Sequence, residues 1–307
     1  MNEKVSVLQV DNLSVAFSMY NKGLSKRDLE VIHELSIDVK KGEIVAVVGS
    51  SGSGKSLLAH AIMGILPENA KTKGSIKYYN NELNEKYLKK VRGKDIAFIP
   101  QSVDFLDPLM KVGKQVIGIN GNKERQKEVF KKYNLDDKVA EMYPFQLSGG
   151  MARRVLIATA VMNEAKLIIA DEPTPGLNLE LAMETLNNFR EIADNGCGVL
   201  LITHDVDLAL NVADRIAVFY SGTIVEIAKV EDFIKGKDAL RHPYSKAFID
   251  ALPQNKFKEL PGYQPYAGNL PKGCLFRDRC SLKTDECYKT IKMRKVRDGE
   301  VRCINAT

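Results

Sequence analysis

The segment GSSGSGKS, Gly49–Ser56, follows the apolar run IVAVV at Ile44–Val48 and opens the stretch KSLLAHAIMGIL at Lys55–Leu66. Its spacing is G-x-x-x-x-G-K-[ST], in which glycines let backbone N–H groups close around phosphate oxygens. Glu43–Val48 reads as a buried strand, and Leu57, Leu58, Ala61, Ile62, Ile65 and Leu66 fall on one helical face, ended by Pro67. Strand, loop and helix therefore present Gly49, Ser50, Ser51, Gly52, Ser53 and Gly54 to an anion, with the positive end of a helix behind them. In this arrangement Lys55 is expected to reach the β and γ phosphates of ATP, and the Ser56 hydroxyl to ligate Mg²⁺. A merely flexible Gly/Ser loop leaves the correctly ordered flanks unexplained.

Phosphoryl transfer also needs carboxylates at the end of an apolar strand, and LIIADE at Leu167–Glu172 places two in succession. Asp171 is expected to hold Mg²⁺ through its water shell, and Glu172 to polarise a water for in-line attack on the γ phosphate. An adjacent Asp-Glu pair is ordinarily surface charge; the buried-looking strand before it favours the site reading. A further anion-binding surface is LSGGMARR at Leu147–Arg154: Ser148 can cap a helix whose Gly149 and Gly150 leave backbone donors open. Taken alone, that segment is equally an ordinary Ser-capped helix.

Around these motifs the texture is mixed α/β. Val5–Val10, Lys166–Ala170, Gly198–Thr203 and Arg215–Tyr220 read as strands, of the continuous apolar kind found in buried parallel sheets. Asn84–Asn163, rich in helix formers and charge, reads as a mainly helical insertion. After about Asp232 the texture changes to RHPYSKAFIDALP (Arg241–Pro253), a Pro/Gly/Tyr-rich linker and a cysteine-rich tail, so a boundary is expected near residue 235, dividing 1–235 from 236–307. No apolar run approaches the roughly 18 residues that span a bilayer. The start, MNEKVSVLQVDNL, carries acidic residues and no apolar core, so a cytosolic chain is expected. The net charge is +6, but Pro271–Thr307 holds ten Lys/Arg against five Asp/Glu. The remainder is near neutral and lacks a basic stripe, which argues against nucleic acid as a partner.

Of five cysteines, Cys197 stands alone and reads as a packing residue; Cys274, Cys280, Cys287 and Cys303 crowd into the tail with spacing C-x5-C-x6-C-x15-C. Disulfides are disfavoured in a cytosolic chain, and zinc sites usually begin with closer pairs. A metal or iron-sulfur cluster, its charge offset by Arg277, Arg279 and Lys283, and free thiols are the readings this spacing leaves open.

GSSGSGKS, LSGGM, LIIADEPT and LITHD (Leu201–Asp205) occur in the order and approximate spacing of ABC-type ATPases, which the chain resembles from about Leu8 to Glu226. The resemblance implies an α/β P-loop NTPase core with an antiparallel β subdomain and a helical subdomain at about 84–163. It implies two cassettes that sandwich ATP head to tail, each phosphate loop facing the other's LSGG helix. It assigns Gln101, in FIPQ, to a loop sensing Mg²⁺ and a transmembrane partner, His204 to a γ-phosphate switch, and Phe17 to stacking on adenine. Two residues depart from the family pattern: Met151 stands for Gln, and Asn178 stands for the Asp that aids communication between sites.

The tail, with RHPYSKAFIDALP, GCLFRDRC and two later cysteines, resembles the C-terminal region of oligopeptide and dipeptide importer ATPases, which implies a small extension binding a [4Fe-4S] cluster through Cys274, Cys280, Cys287 and Cys303. The implied activity is transport-coupled ATP hydrolysis for peptide import at the cytoplasmic face of the membrane. Its partners would be a second ATPase subunit (identical or different), two permease subunits and, indirectly, an extracytoplasmic binding protein. Nickel or metal-chelate import is the alternative; a non-transport ABC ATPase and a binding-only subunit are the rivals from other classes.

Overall fold

The computed structural model describes residues 5–20, 25–118, 121–252, 255 and 257–306. Residues 1–4 of the expected first domain, Pro253 of the tail motif and Thr307 lie outside the described residues.

β1 (Ser6–Tyr20) and β2 (Lys26–Lys40) form a long antiparallel hairpin that joins β4 (Ala70–Tyr78) and β5 (Asn81–Glu82) in a sheet of order β2-β1-β4-β5. The second sheet is centred on β3 (Ile44–Val48), with β6 (Ile96–Ile99), β7 (Leu167–Asp171), β8 (Gly198–Thr203), β9 (Arg215–Tyr220), β10 (Thr223–Lys229), β11 (Arg294–Val296) and β12 (Gly299–Val301) in the order β11-β12-β10-β9-β3-β8-β7-β6. The five strands from β9 to β6 pair in parallel. β3, β7 and β8 are buried along their whole length, which is why their sequences are unbroken apolar runs. Alternate side chains of β3 feed two cores: Ile44, Ala46 and Val48 on the helical face, Val45 and Val47 against the hairpin and α1 (Lys55–Met63).

Three local expectations are revised. The first strand extends to Tyr20, because bulges at Asn12 and Glu34, both at positive φ, shift the pairing register and break the alternation that would reveal it. α1 ends at Met63 rather than near Pro67: Gly64 adopts φ 60° and its N–H bonds to Ala61 O, leaving Ile65 and Leu66 beyond the helix. The interval 84–163 holds α2 (Glu85–Val91), α3 (Val112–Ile117), α4 (Lys123–Lys132) and α5 (Gly149–Val161), but also β6, a strand of the core sheet paired with β7. α6 (Leu179–Asp194) and α7 (Val206–Val212) follow β7 and β8.

Beyond α8 (Val230–Ile234) the tail remains knit to the core. β12 pairs with β10 through Glu226↔Val301 and Ile227↔Glu300. The fully buried Glu226 accepts hydrogen bonds from the Arg241 and His242 backbone N–H groups, each at 2.8 Å, and lies 3.3 Å from Arg241 Nη1. Arg241 also donates to Asp232 Oδ2 at 2.8 Å and Val296 O at 2.7 Å. His242 caps α9 (Pro243–Asp250) by accepting from Tyr244 N at 3.0 Å, and burial pushes its pKa down to about 3, so it docks uncharged. The Arg-His-Pro start of the tail motif is thus a clasp.

Candidate nucleotide site

The C-terminal ends of β3, β7 and β8, neighbours in the sheet, place Gly49–Ser56, Asp171–Glu172 and His204 at one edge of the core. Gly49 admits no side chain, because a Cβ would collide with the carbonyl oxygen of Phe219. Gly52 and Gly54 take φ of 72° and 105°, conformations that favour glycine. Lys55 is buried and donates from Nζ to Gly49 O at 2.8 Å and Ser50 O at 2.9 Å, and Ser53 Oγ donates to Ser50 O at 2.7 Å. Burial lowers the Lys55 pKa, while the charges of Glu172 and Asp171 oppose that shift. Ser51 is exposed on the loop.

Ser56 Oγ donates to Asp171 Oδ1 at 3.1 Å, joining two of the three residues expected to serve Mg²⁺ across 115 positions of sequence. Burial raises the Asp171 pKa, and the Ser56 hydrogen bond lowers it. Glu172 occupies the left-handed region at φ 48°, its N–H bonded to Ile202 O at 2.9 Å and its carboxylate 2.8 Å from His204 Nδ1. A non-glycine residue in that region costs about 1–3 kcal/mol and is held there only by its surroundings. In this case β7 and β8 hold it, with the side chain buried and aimed at the exposed His204.

Gln101 lies two residues past β6, whose Ile99 pairs with Ala170, so it emerges at the same sheet end as Asp171 and Glu172. Its carbonyl accepts from Arg153 Nη2 at 2.6 Å, and Pro100 O accepts from Arg153 Nη1 at 2.9 Å. Arg153, buried on α5, therefore fixes the Gln101 loop from the LSGGMARR helix, a role that sequence reading missed because the contact spans 52 positions. Ser148 caps α5 by accepting from Met151 N at 3.3 Å; a side chain at Gly149 would meet open space and one at Gly150 only Gly176 and Leu177, and among the described residues none of the three bonds to the phosphate loop. Phe17 is half-buried on β1, opposite Leu29 and Ala70, against the hairpin core. Asn178 caps α6 by accepting from Leu181 N at 2.9 Å, a function that Asp would serve equally.

In the tail, Cys274 N bonds to Cys287 O at 2.9 Å. Burial pushes the Cys274 thiol up to about 11, assisted by repulsion from Cys303, Cys287 and Cys280. Cys303 and Cys280 are likewise raised, by burial first and then by neighbouring thiols. Yet among the described residues no group of three or more His, Cys, Asp or Glu side chains stands close enough to hold a metal ion, so the expected cluster site is not formed as a ligand set. Arg279, assigned from sequence to offset cluster charge, instead donates to Leu260 O and Pro261 O. Cys197 is buried and pushed up to about 12, in keeping with packing.

Residues 32–175 match the ABC transporter family, and residues 225–287 match the oligopeptide/dipeptide transporter C-terminal region. The chain is 32% identical to the dipeptide transport ATP-binding protein DppD of Haemophilus influenzae, covering 97% of this chain and 95% of that one. It is 33% identical to the protein of the same name from Bacillus subtilis, covering 95% and 91%. A dimeric ATP-binding cassette solved in a post-hydrolysis state with ADP and Pi superposes with a TM-score of 0.64 at 26% identity, covering 73% of this chain and 98% of that one. The chain belongs to the ATP-binding subunits of the ABC transporters, and it is an ATPase of that type. Among the described residues no helix is long and apolar enough to cross a membrane. The nickel alternative draws no support from these relatives.

Proposed function

We propose that this chain hydrolyses Mg-ATP to drive import of dipeptides or oligopeptides, as one of two cassettes docked on two permease subunits at the cytoplasmic face of the membrane and supplied by an extracytoplasmic binding protein. The observation that carries the ATP site is the convergence of a buried Lys55 on the phosphate-loop carbonyls, Ser56 on Asp171 and His204 on Glu172. In this reading the loop from Gly49 to Gly54 cradles the phosphates and Lys55 neutralises them. Ser56, Asp171 and Gln101 serve the Mg²⁺, Glu172 accepts the proton of the attacking water, His204 senses the γ phosphate, and Phe17 stacks on adenine. The Ser148–Gly150 helix start, which among the described residues makes no hydrogen bond to its own phosphate loop, closes the site of a second cassette. The peptide substrate follows the names of the relatives and the tail match at 225–287.

Lys55→Ala is expected to raise the Kd for Mg-ATP at least tenfold and to abolish turnover, since it removes the only ammonium group that rests on the loop carbonyls Gly49 O and Ser50 O among the described residues. Equilibrium nucleotide binding and phosphate release measure both, and parent values for both would refute the site.

For the tail, we assign a [4Fe-4S] cluster to the four free cysteines Cys274, Cys280, Cys287 and Cys303 of the extension 236–307 on the resemblance of this segment to importer ATPases, and its binding would have to draw together thiols that form no ligand set in this structure. Coordination to iron would require these thiols to deprotonate. Anaerobic purification is expected to give brown protein with about four iron and four sulfide per chain; colourless protein with bound zinc would overturn the assignment.

A further inference from the structure

Ser50 faces two ways. Its carbonyl oxygen accepts from Lys55 Nζ at 2.9 Å and from Ser53 Oγ at 2.7 Å. Its hydroxyl donates to Gln264 Oε1 at 2.9 Å, a residue 214 positions away in the linker before the cysteines. The Tyr244 hydroxyl, at the start of α9, faces the same Ser50 side chain.

The linker is fastened on both sides of this contact. Arg279 donates to Leu260 O at 3.0 Å and Pro261 O at 2.9 Å. Ser221, in the turn between β9 and β10, donates to Pro265 O at 3.3 Å, and Arg27 of β2 donates to Gly268 O at 3.1 Å. Tyr263 and Tyr266 point to solvent, while Gln264 between them is drawn in toward the loop. The linker contributes little apolar burial here, so its polar anchors fix its path.

We infer that Gln264 is a positioning residue of the ATP site: the linker crosses the phosphate loop as a strap, and Gln264 holds Ser50, and through it the carbonyl on which Lys55 rests. The inference rests on the reading of Gly49–Ser56 as the ATP site. A Gly/Ser loop has many accessible backbone states, and ATP must select one of them. Fixing Ser50 in advance lowers that cost for bound ATP in the ground state and in the transition state alike. An effect common to both appears in KM and not in kcat.

The test is a double-mutant cycle in the full chain with Ser50→Ala, Gln264→Ala and the pair, reading Mg-ATP affinity, KM and kcat. Each single change is expected to raise Kd and KM about threefold to tenfold, the range to which one neutral hydrogen bond converts, and Gln264→Ala, which lies outside the phosphate loop, to do so with kcat unchanged. The double variant is expected to be no weaker than the worse single, because both changes delete the shared Ser50–Gln264 hydrogen bond. Additive losses, a fall confined to kcat, or parent KM in Gln264→Ala would each overturn the inference. Lys55→Ala measured alongside separates the two levels: ATP binding that survives it refutes the site itself, whereas its loss beside an unaffected Gln264→Ala refutes only the strap.

Discussion

Glu172→Gln is expected to lower kcat for ATP hydrolysis by about 10²–10⁴-fold while leaving Mg-ATP affinity within about twofold, the loss that accompanies removal of a positioned proton acceptor. The substitution is nearly isosteric. Gln can keep the 2.8 Å contact with His204 Nδ1 and the backbone bond to Ile202 O, so the strained φ of 48° is retained and only basicity is lost. Lys55 feels Glu172 as its first favourable charge and Asp171 as its second, so phosphate binding keeps its remaining determinants. Phosphate release under saturating ATP, paired with equilibrium nucleotide binding, separates the two quantities. Turnover equal to the parent would reassign the base, with His204 the next residue to replace.

Glu226→Ala should be the most damaging single substitution outside the nucleotide site, costing about 3–5 kcal/mol of stability. The carboxylate is fully buried and receives two backbone N–H groups and the Arg241 guanidinium, so its removal takes one of two carboxylates from a buried cation and leaves two buried N–H donors without their acceptor. Asp232 continues to pair with Arg241, which sets the upper bound of the loss. Urea unfolding gives the magnitude, and limited proteolysis should show the tail released first. Replacing Glu226 and Arg241 together by Leu should recover part of the loss, since a buried ion pair is often worth no more than a packed apolar pair of similar volume. A shift below about 1 kcal/mol in Glu226→Ala would mean that the clasp is not energetically coupled to the core.

The nucleotide site was legible because its determinants are local. Gly49–Ser56 carries its own strand and helix, and Leu167–Glu172 its own strand end, whereas the approach of one to the other, Ser56 to Asp171 across 115 positions, was expected only from the family resemblance. Features built from distant segments were not legible. β6 is only four residues long, IAFI, set among charged helix formers, and becomes a strand only because β7 offers it a parallel partner. Arg153 looks like surface charge until Pro100 and Gln101 close over it. The register shifts around Asn12 and Glu34 hid more than half of β1. Ser50 and Gln264 carry no pattern that pairs them. The tail cysteines were read by spacing and by resemblance to importer ATPases, and neither fixes how far apart the sulfurs stand.

The hairpin β11–β12 has a consequence for biogenesis. β10 lies at the margin of the core sheet until β12 pairs with it, and β12 is synthesised about 70 residues after β10. At roughly 5–20 residues per second the ribosome leaves that margin open for several seconds, with unpaired N–H and C=O groups able to recruit a foreign strand. Nascent chains stalled before residue 294 should therefore be more prone to clumping, and more dependent on chaperones, than chains released with the hairpin in place.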